Sequence, residues 1–256
     1  ICKILLVILA VFLCVAFYEL LGIHVAYKKQ PEVSNTTKKE TKNGTWNECS
    51  ENTERAVIIE KNPEALLQRV RLIKNAKKEI ILSTFAFQSD ESGKLILGAL
   101  HDAADRGVHI RLLVDGMESW IDMEGNPYFY GLSSHENVEI KLYNKANPLK
   151  PWKMMGRMHD KYLIADGKRY ILGGRNTYNY FLGDFPGHKN YDRDVLVVCD
   201  EPEKENSVNQ LSEYFETIWN QEDSGYFHNN KKLANRKSVK NAVLELQNGY
   251  QKYFEE

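Results

Sequence analysis

Six residues stand at spacings that suit chemistry at phosphorus: His159, Lys161, Asp166, Gly173, Gly174 and Asn176, in the pattern H-x-K-x4-D-x6-G-G-x-N. An imidazole is a competent nucleophile toward a phosphodiester. An ammonium and a carboxamide can hold phosphoryl oxygens as negative charge builds on them. A carboxylate can support the setting of the imidazole. A lone His-x-Lys reads more simply as a satisfied histidine beside a surface lysine. Six specified positions within one strand–turn–strand context outweigh that reading.

The surrounding elements must aim these groups. His159–Ala165 and Tyr170–Leu172 are strand-like and flank Asp166-Gly167-Lys168, a hairpin turn. Alternation along a strand puts His159 and Lys161 on one face. Gly173 and Gly174 permit close backbone approach where the hairpin ends, so that Asn176 reaches the same side. Further strands are expected at Val57–Glu60, Glu79–Phe87, Val108–Val114, Val138–Tyr143 and Val195–Val198. Helices are expected from Asn62-Pro63 onward, over Ser92–Arg106 with a stop at Gly107, and over Pro202–Trp219. This alternation indicates an α/β layered domain.

Within 256 residues, 43% apolar content allows a sizeable core and excludes a wholly disordered chain. With 34 basic and 35 acidic residues the net charge is −1, which disfavours a strongly basic nucleic-acid binder. Four cysteines exclude a disulfide scaffold. Ile4–Tyr18 is an unbroken apolar run that continues, with Glu19 tolerated, to Tyr27. Residues 1–27 are expected to form one transmembrane anchor, since the small residues of a cleavage site do not follow; a removed signal segment is the alternative. Lysines at 28, 29, 38, 39 and 42 outnumber Lys3, which favours a cytoplasmic domain, but the chain starts without Met and the side stays open.

Residues 28–54 read as a polar tether, 55–222 as the catalytic domain, and 223–256 as the start of a connection to a second half. The tether carries two glycosylation patterns, at Asn35 and Asn43. Its Cys49 could pair with Cys199 only on an oxidising side of the membrane.

The six-residue pattern resembles the signature of the phospholipase D superfamily, the HKD motif. Asp90–Leu95, Ala103–Asp115, Arg157–Lys161, Gly173–Asn176, Tyr191–Val195 and Phe215…Trp219-Asn220 are similar to the N-terminal half of bacterial cardiolipin synthases, nearest the cardiolipin synthase C type. The resemblance implies a sandwich with a central mixed sheet flanked by helices, here preceded by the one transmembrane helix. It implies a phosphohistidine mechanism in which His159 is the nucleophile or its acid partner. Lys161 and Asn176 would bind the phosphoryl group, and Asp166 would support the motif. An acid that hydrogen-bonds the imidazole is expected at Asp192, with Asp194 second. No metal and no cofactor is implied, because Lys161 supplies the positive charge.

Members use two such motifs, and this chain has one. Either it is the first half of a doubled protein, the favoured reading, or it pairs with a second copy. Lys150, Trp152, Lys153 and Arg157 form a candidate lipid- or phosphate-facing loop, with no acid between Lys145 and Met158. The implied function is a membrane-bound phosphatidyltransferase acting on phospholipids. The alternative is a homodimeric single-motif nuclease or phosphodiesterase; a non-enzymatic interaction domain is a third.

Overall fold

The computed structural model describes residues 2–28, 54–147, 149–201, 206–228 and 231–255, with positions 35, 38 and 39. Most of the expected tether, Cys49, the Asn43 pattern and Pro202 lie outside the described residues. The chain divides into two compact units, residues 1–52 with 146–156, and residues 53–145 with 157–256.

The first unit is built on helix α1 (Cys2–Tyr27). Its stretch Lys3–Val25 is 23 residues long and none of its residues is buried. At 1.5 Å per residue it spans roughly 34 Å, enough for a hydrocarbon core of about 30 Å. The segment 146–156 contains a 3₁₀ turn (Pro151–Met155), in keeping with prolines that oppose a regular helix. Trp152 packs edge-on against Tyr18, with ring centroids 5.1 Å apart. Gly22 leaves the space for that ring, since a Cβ there would run into it. The Tyr18 hydroxyl donates to the Leu149 carbonyl at 2.9 Å.

The second unit contains strands β1 (Glu54–Ile59), β2 (Glu79–Thr84), β3 (His109–Asp115), β4 (Val138–Tyr143), β5 (Lys161–Ala165), β6 (Arg169–Gly173), β7 (Asp194–Cys199) and β8 (Ser224–Tyr226). They form one mixed sheet in the order β1-β7-β6-β5-β2-β3-β4-β8. Strands β2, β3 and β4 are parallel neighbours, and β5 runs antiparallel to β2. The start of β5 therefore lies at the carboxyl end of β2, where open α/β sheets place their sites.

Helices α2 (Asn62–Asn75), α3 (Glu91–Asp105), α5 (Pro127–Ser133) and α8 (Lys237–Glu255) cover one face. Ile80, Leu82, Ile110, Leu112, Ile140 and Leu163 point into that layer, as a period of two requires. Ile81, Leu113, Tyr162 and Ile164 point the other way, onto Val208, Phe215 and Trp219 of α6 (Ser207–Trp219). Helices α4 (Gly116–Asp122) and α7 (Lys231–Ala234) are short.

Local signals explain the boundaries. The Asp90 side chain accepts from Gly93 N–H at 3.0 Å and caps α3. Gly107 ends it at φ +88, with Val108 N–H returning to the Ala103 carbonyl. Residues 237–255, within the stretch read as a connection, form a full helix whose Val239, Ala242, Leu246 and Tyr250 are buried.

Candidate active site

His159 precedes β5 and Lys161 opens it, opposite Thr84 at the end of β2. Beyond Thr84 the chain continues as Phe85-Ala86-Phe87, and beyond β6 as Gly174-Arg175-Asn176-Thr177. These two extensions pair: Thr177 N–H donates to the Ala86 carbonyl at 3.0 Å, and Gln88 N–H to the Thr177 carbonyl at 3.2 Å. The Asn176 Oδ1 accepts from Ala86 N–H at 3.3 Å. That bond fixes the orientation of the carboxamide and leaves its Nδ2 donors turned away from Ala86.

The Phe85 ring is the meeting point. The His159 ring lies edge-to-face on it, 4.6 Å away at 65°. Lys161 Nζ lies 5.3 Å from its centroid and the Arg157 guanidinium 4.8 Å. Lys161 is 5% exposed and donates to the His159 carbonyl at 2.8 Å. Burial lowers its pKa, and Asp160 and Asp192 oppose that. His159 is exposed, open to a reactant.

Asp115 anchors the approach to His159. This carboxylate, 1% exposed, accepts from Met158 N–H at 3.1 Å and Arg157 Nε at 2.8 Å. It also accepts from Met117 and Glu118 N–H, so it caps α4 as well. Arg157 pairs in addition with Glu118 at 2.7 Å. Burial acts against its charge, but the bonds to Asp115 and Glu118 outweigh this and raise its pKa.

A buried Arg–Asp–Arg group supports the other side. Asp194 Oδ2 lies 2.8 Å from Arg69 Nη1 and 3.2 Å from Arg175 Nη1. Arg175 is fully buried and also donates to Asn62 Oδ1 and to the Ile59 and Glu60 carbonyls. It thereby ties the end of β1 and the start of α2 to the segment that carries Asn176. The paired glycines of the motif make room here. A Cβ on Gly173 would meet the Asp194 carboxylate, and one on Gly174 the Asp192 carboxylate.

The structure thus brings His159, Lys161 and Asn176 together and leaves two expected residues in other roles. Asp166 sits at the far end of β5, where its carboxylate accepts from Lys77, Lys78 and Glu79 N–H at 2.7–3.1 Å. With φ 56 it stands, with Gly167 at φ 62, in the three-residue turn 166–168 that joins β5 to β6. Asp192 accepts from Arg193 N–H, and no bond joins it to His159. Asp194, the second choice, is committed to the two arginines. In the basic loop, Arg157 belongs to the Asp115 cluster and Trp152 packs on α1; Lys150 is exposed. Among the described residues no cluster of His, Cys, Asp or Glu is set to hold a metal.

Phe85 and Asp115 escaped the sequence reading. Asp115 carried a usable signal, an acid ending a strand and opening a helix. Phe85 carried none, because an aromatic residue after a buried strand is common.

The family profile for the cardiolipin synthase, PLD-like domain matches residues 69–219. The chain belongs to this family. Cardiolipin synthase C of Escherichia coli K12 is 30% identical over 154 residues, 55% of this chain and 31% of that one. An uncharacterized protein of Helicobacter pylori J99 is 31% identical over 206 residues, 75% of this chain and 38% of that one. The chain spans 22% to 38% of the length of the curated relatives it matches. In fold it is similar to a phosphatidylserine synthase of Haemophilus influenzae Rd KW20, with TM-score 0.53 and 16% identity over 78% of this chain and 44% of that one. Members of the superfamily cleave or transfer phosphodiesters, and the eight-stranded mixed sheet flanked by helices is the phospholipase D-like fold.

Proposed function

We propose that the chain carries one half-site of a membrane-anchored phosphatidyltransferase of the phospholipase D type. The observation that carries this reading is the convergence of an exposed imidazole, a buried ammonium and an oriented carboxamide at the carboxyl end of β2. A ring nitrogen of His159 attacks the phosphorus of a donor phospholipid. The N–P bond forms, the P–O bond to the leaving alcohol breaks, and that oxygen takes a proton from a second imidazolium. The acceptor hydroxyl of another phospholipid then gives its proton to that second, now neutral imidazole as its oxygen bonds to phosphorus, and the N–P bond to His159 breaks. Lys161 and Asn176 hold the phosphoryl oxygens through both steps. Asp192 adds to the field at Lys161, and Asp166 serves the motif as its hairpin anchor.

The second imidazole comes from elsewhere in the full polypeptide or from another copy. Residues 1–27 act as anchor, 28–54 as tether and 55–222 as catalytic domain, with 223–256 leading toward the second half. An anchor beside its lipid substrate and the family match support the lipid reading.

The test uses the full-length native protein in phospholipid–detergent micelles. The expected result is phosphatidyl transfer to an added alcohol, reduced at least about 1,000-fold by His159→Gln. No lipid turnover, with His159-dependent cleavage of nucleic acid or a simple phosphodiester instead, would replace this reading with the phosphodiesterase one.

A further inference from the structure

Among the described residues the His159 imidazole has no hydrogen-bond partner, and its ring contact is with Phe85. The two other cationic groups over Phe85 are each held from a second side. Arg157 is held by Asp115 and Glu118, and Lys161 by the His159 carbonyl. The imidazole alone depends on the aromatic ring. The nearby carboxylates are engaged elsewhere, Asp192 with its neighbouring amide and Asp194 with the arginines.

We propose that Phe85 is the positioning residue of the site: its ring seats the His159 imidazole beside Lys161 and stabilises the charge that the imidazole gains on phosphorylation. The inference rests on the function proposed above. When a ring nitrogen bonds to phosphorus, its lone pair becomes the N–P bond and the P–O electron pair leaves with the alcohol oxygen. The other ring nitrogen keeps its proton, so the imidazole becomes a cation. An aromatic face favours a cation in contact with it. A neutral ring adds this without placing a further carboxylate beside Lys161, whose ammonium faces the anionic phosphodiester.

Phe85 is only half-buried and opens one of the two paired extensions, outside the regular strands, so its replacement is a local change. The variants are Phe85→Leu and Phe85→Tyr in the full-length protein. Phe85→Leu is expected to lower kcat for phosphatidyl transfer about tenfold, with KM changed less than about twofold. Phe85→Tyr, which keeps the ring, is expected to stay within about twofold of the parent. A second readout does not depend on activity. In the unsubstituted protein, the ring-proton NMR signals of His159, assigned by their loss in His159→Gln, should be displaced upfield by the Phe85 ring current, and that displacement should vanish in Phe85→Leu.

A Phe85→Leu enzyme with parental kcat, or equal impairment in both variants, overturns the proposal. His159 signals at their solvent positions in the unsubstituted protein overturn it as well, and this holds even if Phe85→Leu fails to fold. If the unsubstituted protein shows no His159-dependent turnover, the proposed function fails, while the NMR readout still decides the contact.

Discussion

The two ends of β5 carry parts of one short motif and are built in opposite ways. At its start, His159 is exposed, rests on one aromatic ring and has no hydrogen bond to its imidazole among the described residues. At its far end, roughly 16 Å away along the strand, the Asp166 carboxylate is held by the amides of Lys77, Lys78 and Glu79. One end leaves its functional groups available; the other uses its group to fasten the hairpin to the start of β2. On the function proposed above, the motif joins reactive positions to architectural ones, and spacing alone does not distinguish them.

Substitution at the two ends should separate the roles. Lys161→Ala is expected to lower transfer by about 100- to 1,000-fold while leaving the melting temperature near that of the parent, because it removes a donor at the point where phosphoryl charge builds. Steady-state kinetics beside thermal melts of the full-length protein check this. A large fall in melting temperature would move Lys161 to the architectural side.

Asp166→Ala should give the converse. It strands the amides of residues 77–79 and removes a residue tolerant of the left-handed conformation, so about 2–3 kcal/mol of stability is expected to go. Below its melting point, the folded fraction should retain close to parental kcat. Denaturant titration with kinetics in the same buffer measures both, and loss of kcat without loss of stability would make Asp166 a member of the reactive end.

The smallest expected effect concerns Asp160, between His159 and Lys161 in sequence but on the opposite sheet face. Burial raises its pKa, and the hydrogen bond from Tyr214 at 2.9 Å, together with Lys161 and His159, opposes this. Tyr214 is itself pushed up to about 12 by burial and by its bond to Asp160. A carboxyl group whose folded pKa lies above its unfolded value favours folding at low pH, and that advantage is lost as pH rises through the folded pKa. Asp160→Asn should therefore raise the melting temperature slightly at pH 7, relative to the parent. The gain should shrink as pH falls toward 3.8, the ordinary carboxylate value. A gain that grows on acidification would contradict this sign.

Much of the fold was legible because its signals are local. Apolar runs marked β2, β3, β4, β5 and β7, and Gly107 marked the end of α3. The elements missed are those whose order comes from tertiary contact: α4, started by the Asp115 cap, α5, and the three-residue edge strand β8. Helix α8 lay inside the stretch read as a connection to a second half, although its four buried residues, Val239, Ala242, Leu246 and Tyr250, recur at helical spacing. At the site, chemistry-bearing residue types revealed His159, Lys161 and Asn176. The roles of Asp166, Asp192 and Asp194 were not legible, because a carboxylate's role depends on which amides or guanidinium groups face it. Arg157 reads as part of an unpaired basic run only until Asp115, 42 positions earlier, is brought beside it.

The central claim is that phosphorus passes through His159. The direct measurement is rapid alkali-quench of the full-length protein turning over a phospholipid labelled at its phosphorus, followed by peptide mapping at alkaline pH. The account predicts an acid-labile, alkali-stable label on the peptide containing His159, absent in His159→Gln. An active enzyme that carries no label under quench conditions that trap its burst, or carries it on a peptide without His159 while His159→Gln stays labelled and active, would contradict it.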